Sequence, residues 1–361
     1  MKVVILASGR SFHATRWASA LSKKNIEVIF ISINALTRKL DKKIKHIQIG
    51  NEKKYYYFLS AFRFRKLLKE IKPDIIHSHY ASGYGLLGYL SNLFLYIPRI
   101  TSLYGAEVFD FPNKSFLHAK LLEIICSSSV EVFSTSRVMA NVFSGQYPNL
   151  PSPTITPFGV DLSIFDPVRF PKKNDSKFIS IGLVKKLEKK YGVDVLIEAV
   201  SILVKKYKVK VILKVAGDGV EKQNLINLAA NLDISELISF SGWIDNDDVP
   251  EFLSSLDIVV IPSRFESESF GVAAVESLAM RKPTIVSNVG GLPEVVENNI
   301  SGYVIEKENP DELALKIWEI INDKAGTAFV AREARLRVVK YFDWNNNVNL
   351  VVNQYAKIIG D

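Results

Sequence analysis

The residues best suited to chemistry in this 361-residue chain lie in the run Pro262-Ser263-Arg264-Phe265-Glu266-Ser267-Glu268-Ser269-Phe270-Gly271-Val272, which continues to Glu276. An apolar stretch, Ile258–Ile261, precedes the run, and a helical pattern stopped by Pro283 follows it. A strand, a loop and a helix in that order bring the free backbone N–H groups of a first helical turn to a loop end. Ser269 is placed to cap the helix and Gly271 to let a ligand approach the amides at Phe270, Gly271 and Val272, which suits a diphosphate. Glu268 lies just before the helix, and Glu276, eight positions on, is about two turns along it. One carboxylate can then meet a sugar and the other a ribose. Carboxylates suit such ligands because they only accept hydrogen bonds, and a charged acceptor bonds more strongly.

A second segment, Gly182-Leu183-Val184-Lys185-Lys186-Leu187-Glu188-Lys189-Lys190-Tyr191-Gly192, leaves a strand and enters a helix through Val195–Val204. Its cations are placed to neutralise a departing nucleoside diphosphate; a lysine cluster can equally be a solvated loop. Gly217-Asp218-Gly219 and Gly242-Trp243 each follow a strand, and each could frame a base or be only a tight turn. In the first half, Gly9 sits where a first strand meets its helix, allowing close approach to diphosphate or acceptor. No full Gly-x-Gly-x-x-Gly surrounds it, which argues against a dinucleotide oxidoreductase. His79 ends a strand on which His77 shares its face, with His13 a further candidate nearby. No carboxylate or cysteine completes a ligand set, so these read as polar strand-end histidines without a metal.

The elements that must position these groups alternate along the chain. In the first half, candidate strands are Val3–Ala7, Val28–Ser32, Asp74–Ser78, Ile100–Leu103, Glu131–Thr135 and Thr154–Pro157, with helical segments between. Continuous apolar strands separated by helices indicate a parallel sheet covered on both faces. Proline, glycine and charge cluster from Pro157 to Asp175, after which the pattern restarts with Phe178–Ile181, Val211–Ala216, Ile238–Phe240, Ile258–Ile261, Thr284–Ser287 and Tyr303–Ile305. The reading is α/β, two Rossmann-like doubly wound domains over residues 1–170 and 171–343, facing each other across a cleft. A helix near 344–361 is expected to pack back on the first domain.

Composition is that of a globular protein, 48% hydrophobic and 23% charged. The single cysteine, Cys126, excludes an internal disulfide and suits a reducing compartment. The longest apolar stretch, Leu86 to Ile97, is too short to span a bilayer, and Met1–Leu6 reads as a strand rather than a leader, so a cytoplasmic protein is expected. The net charge of +8 is uneven, with residues 1–170 carrying 22 Lys/Arg against 11 Asp/Glu. A basic first half suggests an anionic surface as its partner.

Taken together, these residues resemble glycosyltransferase family 4, retaining enzymes of the GT-B fold, over nearly the whole chain and most strongly over 178–305. Glu268 and Glu276 match the family's Glu-x7-Glu pair. The resemblance implies that Glu268 contacts the donor hexose, Glu276 the ribose, and the backbone at Phe270–Val272 the phosphate. Lys186 stands near the basic residue of the family's Gly-Arg-Leu-Val element and Lys190 near its second, with Lys185 and Lys189 as competing assignments. Weaker matches are Val215–Gly219, Gly290–Glu294, Asn299–Tyr303 and the linker Pro157–Asp161, where Phe158 replaces the usual Asn. The family commonly has His-Gly after a middle strand; here Tyr104-Gly105 stands there. A phenol can donate a hydrogen bond but is no base near neutral pH.

The implied activity is retaining transfer of a hexose or N-acetylhexosamine from a UDP- or GDP-linked donor to a glycan or lipid-linked acceptor in polysaccharide, lipopolysaccharide or glycolipid assembly. Lys186, Lys190 and helix amides would stabilise the leaving phosphate. No metal-binding Asp-x-Asp stands out, so no cofactor or divalent cation is expected. Tyr55–Lys69 is aromatic and basic; Phe58, Leu59, Phe62 and Ile71 can form one apolar stripe, while the remaining aromatics with Arg63, Lys66 and Lys69 fit peripheral contact with an anionic membrane. Alternatives are a non-catalytic nucleotide-sugar-binding scaffold and an epimerase on the same fold. Nucleic-acid binding has only positive charge in its favour.

Overall fold

The computed structural model describes residues 1–50, 56–171 and 177–360, and for 56–59 the backbone alone. Tyr55, the side chains of Tyr56, Tyr57, Phe58 and Leu59, and linker residues 172–175 therefore lie outside the described residues. The chain divides into two units, Met1–Pro157 with Asn346–Asp361, and Phe158–Asn345.

Among the described residues, the first unit is built on seven parallel strands: β1 (Lys2–Leu6), β2 (Glu27–Ser32), β3 (Lys45–Gln48), β4 (Ile75–His79), β5 (Arg99–Leu103), β6 (Glu131–Ser134) and β7 (Thr154–Ile155), in the order β3-β2-β1-β4-β5-β6-β7. Strands β4 and β5 are buried from end to end, as a sheet covered on both faces requires. The order reverses between β1 and β4, and the crevice outside the carboxyl ends at such a reversal is where doubly wound sheets take ligands. Strand β3, Lys-His-Ile-Gln, has no apolar run to announce it and pairs only at the sheet edge. On the helix Tyr56–Ile71 the buried face is Ala61, Phe64 and Leu68, whereas Phe62 is exposed. The expected stripe through Phe62 is thus displaced: a period of 3.6 read from Phe64 packs against Leu6, Ile31 and Ile76.

The second unit holds six parallel strands among the described residues: β8 (Ile179–Val184), β9 (Val211–Ala216), β10 (Ile238–Gly242), β11 (Ile258–Ile261), β12 (Thr284–Ser287) and β13 (Tyr303–Ile305), in the order β10-β9-β8-β11-β12-β13. The helix Val193–Lys205 buries Leu196, Val200 and Leu203 against Ile181, Leu183, Leu213 and Ile317. Each such side chain contributes about 1.5–3 kcal/mol. Here the reversal falls between β8 and β11.

The division at Pro157–Phe158 precedes the expected boundary near residue 170, because the intervening segment packs within the second unit. Arg335 donates to the carbonyl of Phe165, Phe158 meets Phe270 edge-on at 5.8 Å, and Val160 exchanges backbone bonds of 2.9 and 3.0 Å with Phe342 and Trp344. A Cβ on Gly159 would lie 2.7 Å from the Phe342 carbonyl oxygen, so only glycine fits that approach. After this pairing the chain re-enters the first unit, where Tyr355 of the helix Trp344–Ile359 is fully buried against His77.

Candidate functional site

The reversal of the second sheet brings the loop after β8 against the loop after β11. Lys185 Nζ lies 2.8 Å from both Oε1 and Oε2 of Glu268, with the two side chains only 12% and 11% exposed. The Lys185 ammonium also sits 4.5 Å from the Tyr191 ring centre, and Ser263 Oγ is 3.3 Å from Glu268 Oε2. This pair is a compact, half-desolvated charge centre at the position where a doubly wound sheet binds ligands.

Backbone approach explains how the two loops are held. Gly217, at φ 139°, faces Lys185 so closely that a Cβ would lie 1.8 Å from its carbonyl oxygen, and a Cβ on Gly219 would lie 2.3 Å from that of Leu187. The glycine turn in return accepts the Lys185 amide at Ala216 and the Leu187 amide at Asp218, each at 3.0 Å. Gly217 and Gly219 therefore seat the lysine loop. The Asp218 side chain turns to its own loop, bonding the Gly219 amide at 2.8 Å and Lys222 at 3.1 Å. On the other side, Gly290 and Gly291 press on the carbonyls of Glu268 and Ser269, where a Cβ would come within 2.3 and 2.2 Å.

Arg264, which the sequence reading passed over, joins the loops. It donates to Asp194 with both terminal nitrogens at 2.8 and 2.7 Å, to Glu308 at 3.0 Å and to the Lys189 carbonyl at 3.0 Å. An arginine two residues past the strand-ending Pro262 and an aspartate after Gly192 were the available signal, but only the fold brings them together.

The remaining expected residues take distinct places. Lys186 is 62% exposed and Lys190 38%, and each comes no nearer than 4.0 Å to Glu188, so neither is the cation on Glu268. The helix Val272–Ala279 has Gly271, at φ 90°, as its N-cap with no side-chain cap bond, which corrects the expectation that Ser269 caps it: the left-handed glycine starts the helix two residues later. Phe270 is core, packed on Phe158 and Phe342. Val272 opens the helix, and Glu276 is half-buried in its second turn. Gly182 lies inside β8, where Lys214 O at 2.4 Å and Leu256 fill its Cβ position; its smallness serves packing. Trp243, 61% exposed, follows the end of β10.

In the first unit a second cluster forms where β4 and β5 end. Tyr104 OH bonds His79 Nδ1 at 2.5 Å, His77 and His79 stack with ring centres 4.5 Å apart, and Tyr80 meets Tyr104 edge-on at 4.7 Å. Tyr80 holds φ 71°, a left-handed conformation that opens into the wide turn Ala81–Gly85. Burial lowers His79 to about 3, helped by His13, and lowers His13 to about 4, helped by Arg16. Burial likewise raises the Tyr104 phenol well above its usual value, so it is no base. Glu107 is pushed up to about 7 by burial, against the opposing pull of nearby backbone amides, Tyr104 and Ala81 among them. Gly9 does not offer its amide to a ligand: Asn34 Oδ1 accepts it at 2.8 Å, and a Cβ would lie 2.6 Å from Ala35 O. Among the described residues no group of three His, Cys, Asp or Glu is placed to hold a metal ion, and no helix is long and apolar enough to cross a membrane.

Comparison with known proteins adds a family frame. Residues 165–341 match the family model described as glycosyl transferases group 1, and residues 2–136 match that described as glycosyl transferase 4-like. An uncharacterized glycosyltransferase of Methanocaldococcus jannaschii is 29% identical over 304 residues, 84% of this chain and 81% of that protein. A solved glycosyltransferase from Rickettsia africae superposes with a TM-score of 0.85 at 23% identity, covering 99% of this chain and 98% of its own. The Anabaena protein HepE superposes with a TM-score of 0.84 at 18% identity, covering 99% and 100%. At these identities the two structures establish a shared fold, that of GT-B glycosyltransferases.

Proposed function

The chain belongs to the glycosyl transferases group 1 family, and we propose that it moves a hexose or N-acetylhexosamine, with retained anomeric configuration, from a UDP- or GDP-linked donor to a glycan or lipid-linked acceptor in cell-surface polysaccharide or glycolipid assembly. The observation that carries this reading is the Lys185–Glu268 pair at the strand-order reversal of the second sheet. Breaking the anomeric C–O bond builds negative charge on the leaving diphosphate. A preplaced ammonium and the amides at the start of Val272–Ala279 are positioned to stabilise it without reorganisation. Glu268 then exchanges its lysine for sugar hydroxyls, and Glu276 takes the ribose. With these charges supplied by the chain, no divalent cation is required. HepE of Anabaena was solved with UDP and with UDP-glucose, which favours the UDP-linked donor. Phe62 stands exposed on the helix that also carries the exposed Arg63, Lys66 and Lys69, supporting a peripheral, anionic-membrane location for the acceptor.

A thermal-shift screen against UDP, GDP, ADP and their sugars, with and without EDTA, tests the donor assignment. A nucleotide at about a hundred times its dissociation constant adds roughly 2.7 kcal/mol of stability. Stabilisation by one nucleotide class, insensitive to EDTA and lost in Glu276→Ala, is the expected result. No response to any nucleotide overturns the donor site. Binding without acceptor-dependent release of nucleoside diphosphate points instead to a non-catalytic scaffold.

A further inference from the structure

We propose that Tyr355, His77, Ser102, Tyr104 and His79 form a one-way hydrogen-bond chain that lets Tyr104 meet a substrate group only as a hydrogen-bond acceptor, selecting a hydroxyl or N–H over a carboxylate or phosphate at that contact. The inference rests on the reading above that the first unit takes part of the substrate. The contacts are continuous within that unit. Tyr355 OH is 2.5 Å from His77 Nδ1, and His77 Nε2 is 2.7 Å from Ser102 Oγ. The Ser102 hydroxyl bonds the Tyr104 phenol, whose oxygen is 2.5 Å from His79 Nδ1. The chain thus runs from the final helix across β4 and β5 to the carboxyl end of the sheet beside its reversal.

Counting donors fixes its direction. Burial keeps both imidazoles neutral, so each has one N–H and one bare nitrogen, and each hydroxyl has a single proton. If Tyr355 donates to His77, then His77 donates to Ser102, Ser102 to Tyr104 and Tyr104 to His79. Only His79 Nε2–H is then without a partner, as the structure shows that atom to be. In the opposite direction His79 Nε2 remains unpaired as a bare acceptor, and the O–H of Tyr355, fully buried with His77 as its partner, is stranded as well. Two orphaned buried groups cost more than one, and every bond in a cooperative chain favours the same sense. Tyr104 therefore commits its only proton to His79, and Tyr355, His77 and Ser102 act as positioning residues through it.

The test is the tautomer of each histidine, read from 15N shifts of the ring nitrogens in the whole protein. Free protein is expected to show both His77 and His79 as the Nε2–H form; Nδ1–H at either residue overturns the chain, whatever the enzyme's activity. Saturating UDP-glucose is expected to leave both tautomers unchanged, whereas a switch of His79 to Nδ1–H means that Tyr104 donates to the substrate and refutes the acceptor role. Tyr355→Phe removes the first donor at a site away from the ligand and should convert His79 to a mixture of tautomers. An unchanged single form in that variant overturns the directional role of Tyr355. If that variant does not fold, Ser102→Ala cuts the same chain in its middle, with the same two outcomes.

Discussion

Replacing Lys185 by Met separates the two lysine assignments that adjacency in sequence leaves open. The substitution leaves the Glu268 carboxylate, 11% exposed, with Ser263 Oγ at 3.3 Å as its remaining side-chain hydrogen bond. Stripping one partner from a buried pair costs about 3–5 kcal/mol, and the residual exposure here brings the expectation to the low end, about 3 kcal/mol. Lys186→Met, at a 62% exposed side chain 4.0 Å from Glu188, should change stability by less than about 0.5 kcal/mol. Urea unfolding measures both. The double variant Lys185→Met/Glu268→Gln should recover about 2 kcal/mol of the single-variant loss, since no buried charge is then left alone. Calorimetric titration with UDP carries the functional half: Lys185→Met should weaken binding about ten- to a hundredfold, the worth of one charge-assisted hydrogen bond. If Lys186→Met weakens UDP binding as much as Lys185→Met, or if the double variant is no more stable than Lys185→Met alone, the site is not built on this pair.

Gly217→Ala should cost about 3 kcal/mol or more in thermal unfolding, because its Cβ meets the Lys185 carbonyl at 1.8 Å on a φ of 139°. Gly145→Ala, with nothing within 4 Å and helical neighbours, should instead stabilise by about 0.5–1 kcal/mol. Arg264→Lys trades a fork for a point charge and gives up the two-pronged bond to Asp194; unfolding should show a loss of about 1–3 kcal/mol. UDP affinity should fall with it, since loops 185–194 and 262–268 lose their tie. Stability should also follow pH. His13 and His79 have folded values of about 4 and about 3, below the unfolded 6.5, so their contribution is complete above pH 6.5 and is lost as pH falls through 4 and 3. Each such histidine contributes a slope of up to about 1.4 kcal/mol per pH unit. Glu107, raised to about 7, acts in the opposite sense: its contribution is complete below about pH 4.5 and lost as pH rises through 7. Urea titrations from pH 4 to 8 should therefore show Glu107→Gln flattening the neutral limb while leaving the acid limb steep.

Most strands could be read from the sequence because parallel strands buried on both faces write themselves as apolar runs, and Val211–Ala216, Ile258–Ile261 and Thr284–Ser287 are read to the residue. Lys45–Gln48 escaped because an edge strand needs no such run. The site was legible in its residue types but not in its directions. Whether Lys185 or Lys186 turns inward depends on the seating of that loop by Gly217 and Gly219, which lie 32 to 34 positions away and come near only through the pairing of β8 with β9. The Ser269 cap failed for a local reason: a left-handed Gly271 can begin a helix without a side-chain cap. Arg264 was unreadable because its partners Asp194 and Glu308 are 70 and 44 positions distant.

The return of the chain at Asn345–Asn346 has a consequence for how the protein is made. The second unit is one uninterrupted segment whose two ends are pinned side by side by Val160 and Trp344, so it can close while the ribosome still holds the final helix. The first unit cannot. Its sheet is synthesised early, yet His77 waits on Tyr355, and Val348 and Val351 are buried, until the last turns of the chain emerge. Translation thus reverses the usual order in which the amino-terminal domain matures first. Nascent chains arrested before residue 346 should carry a protease-resistant second unit and a first unit still open to cleavage.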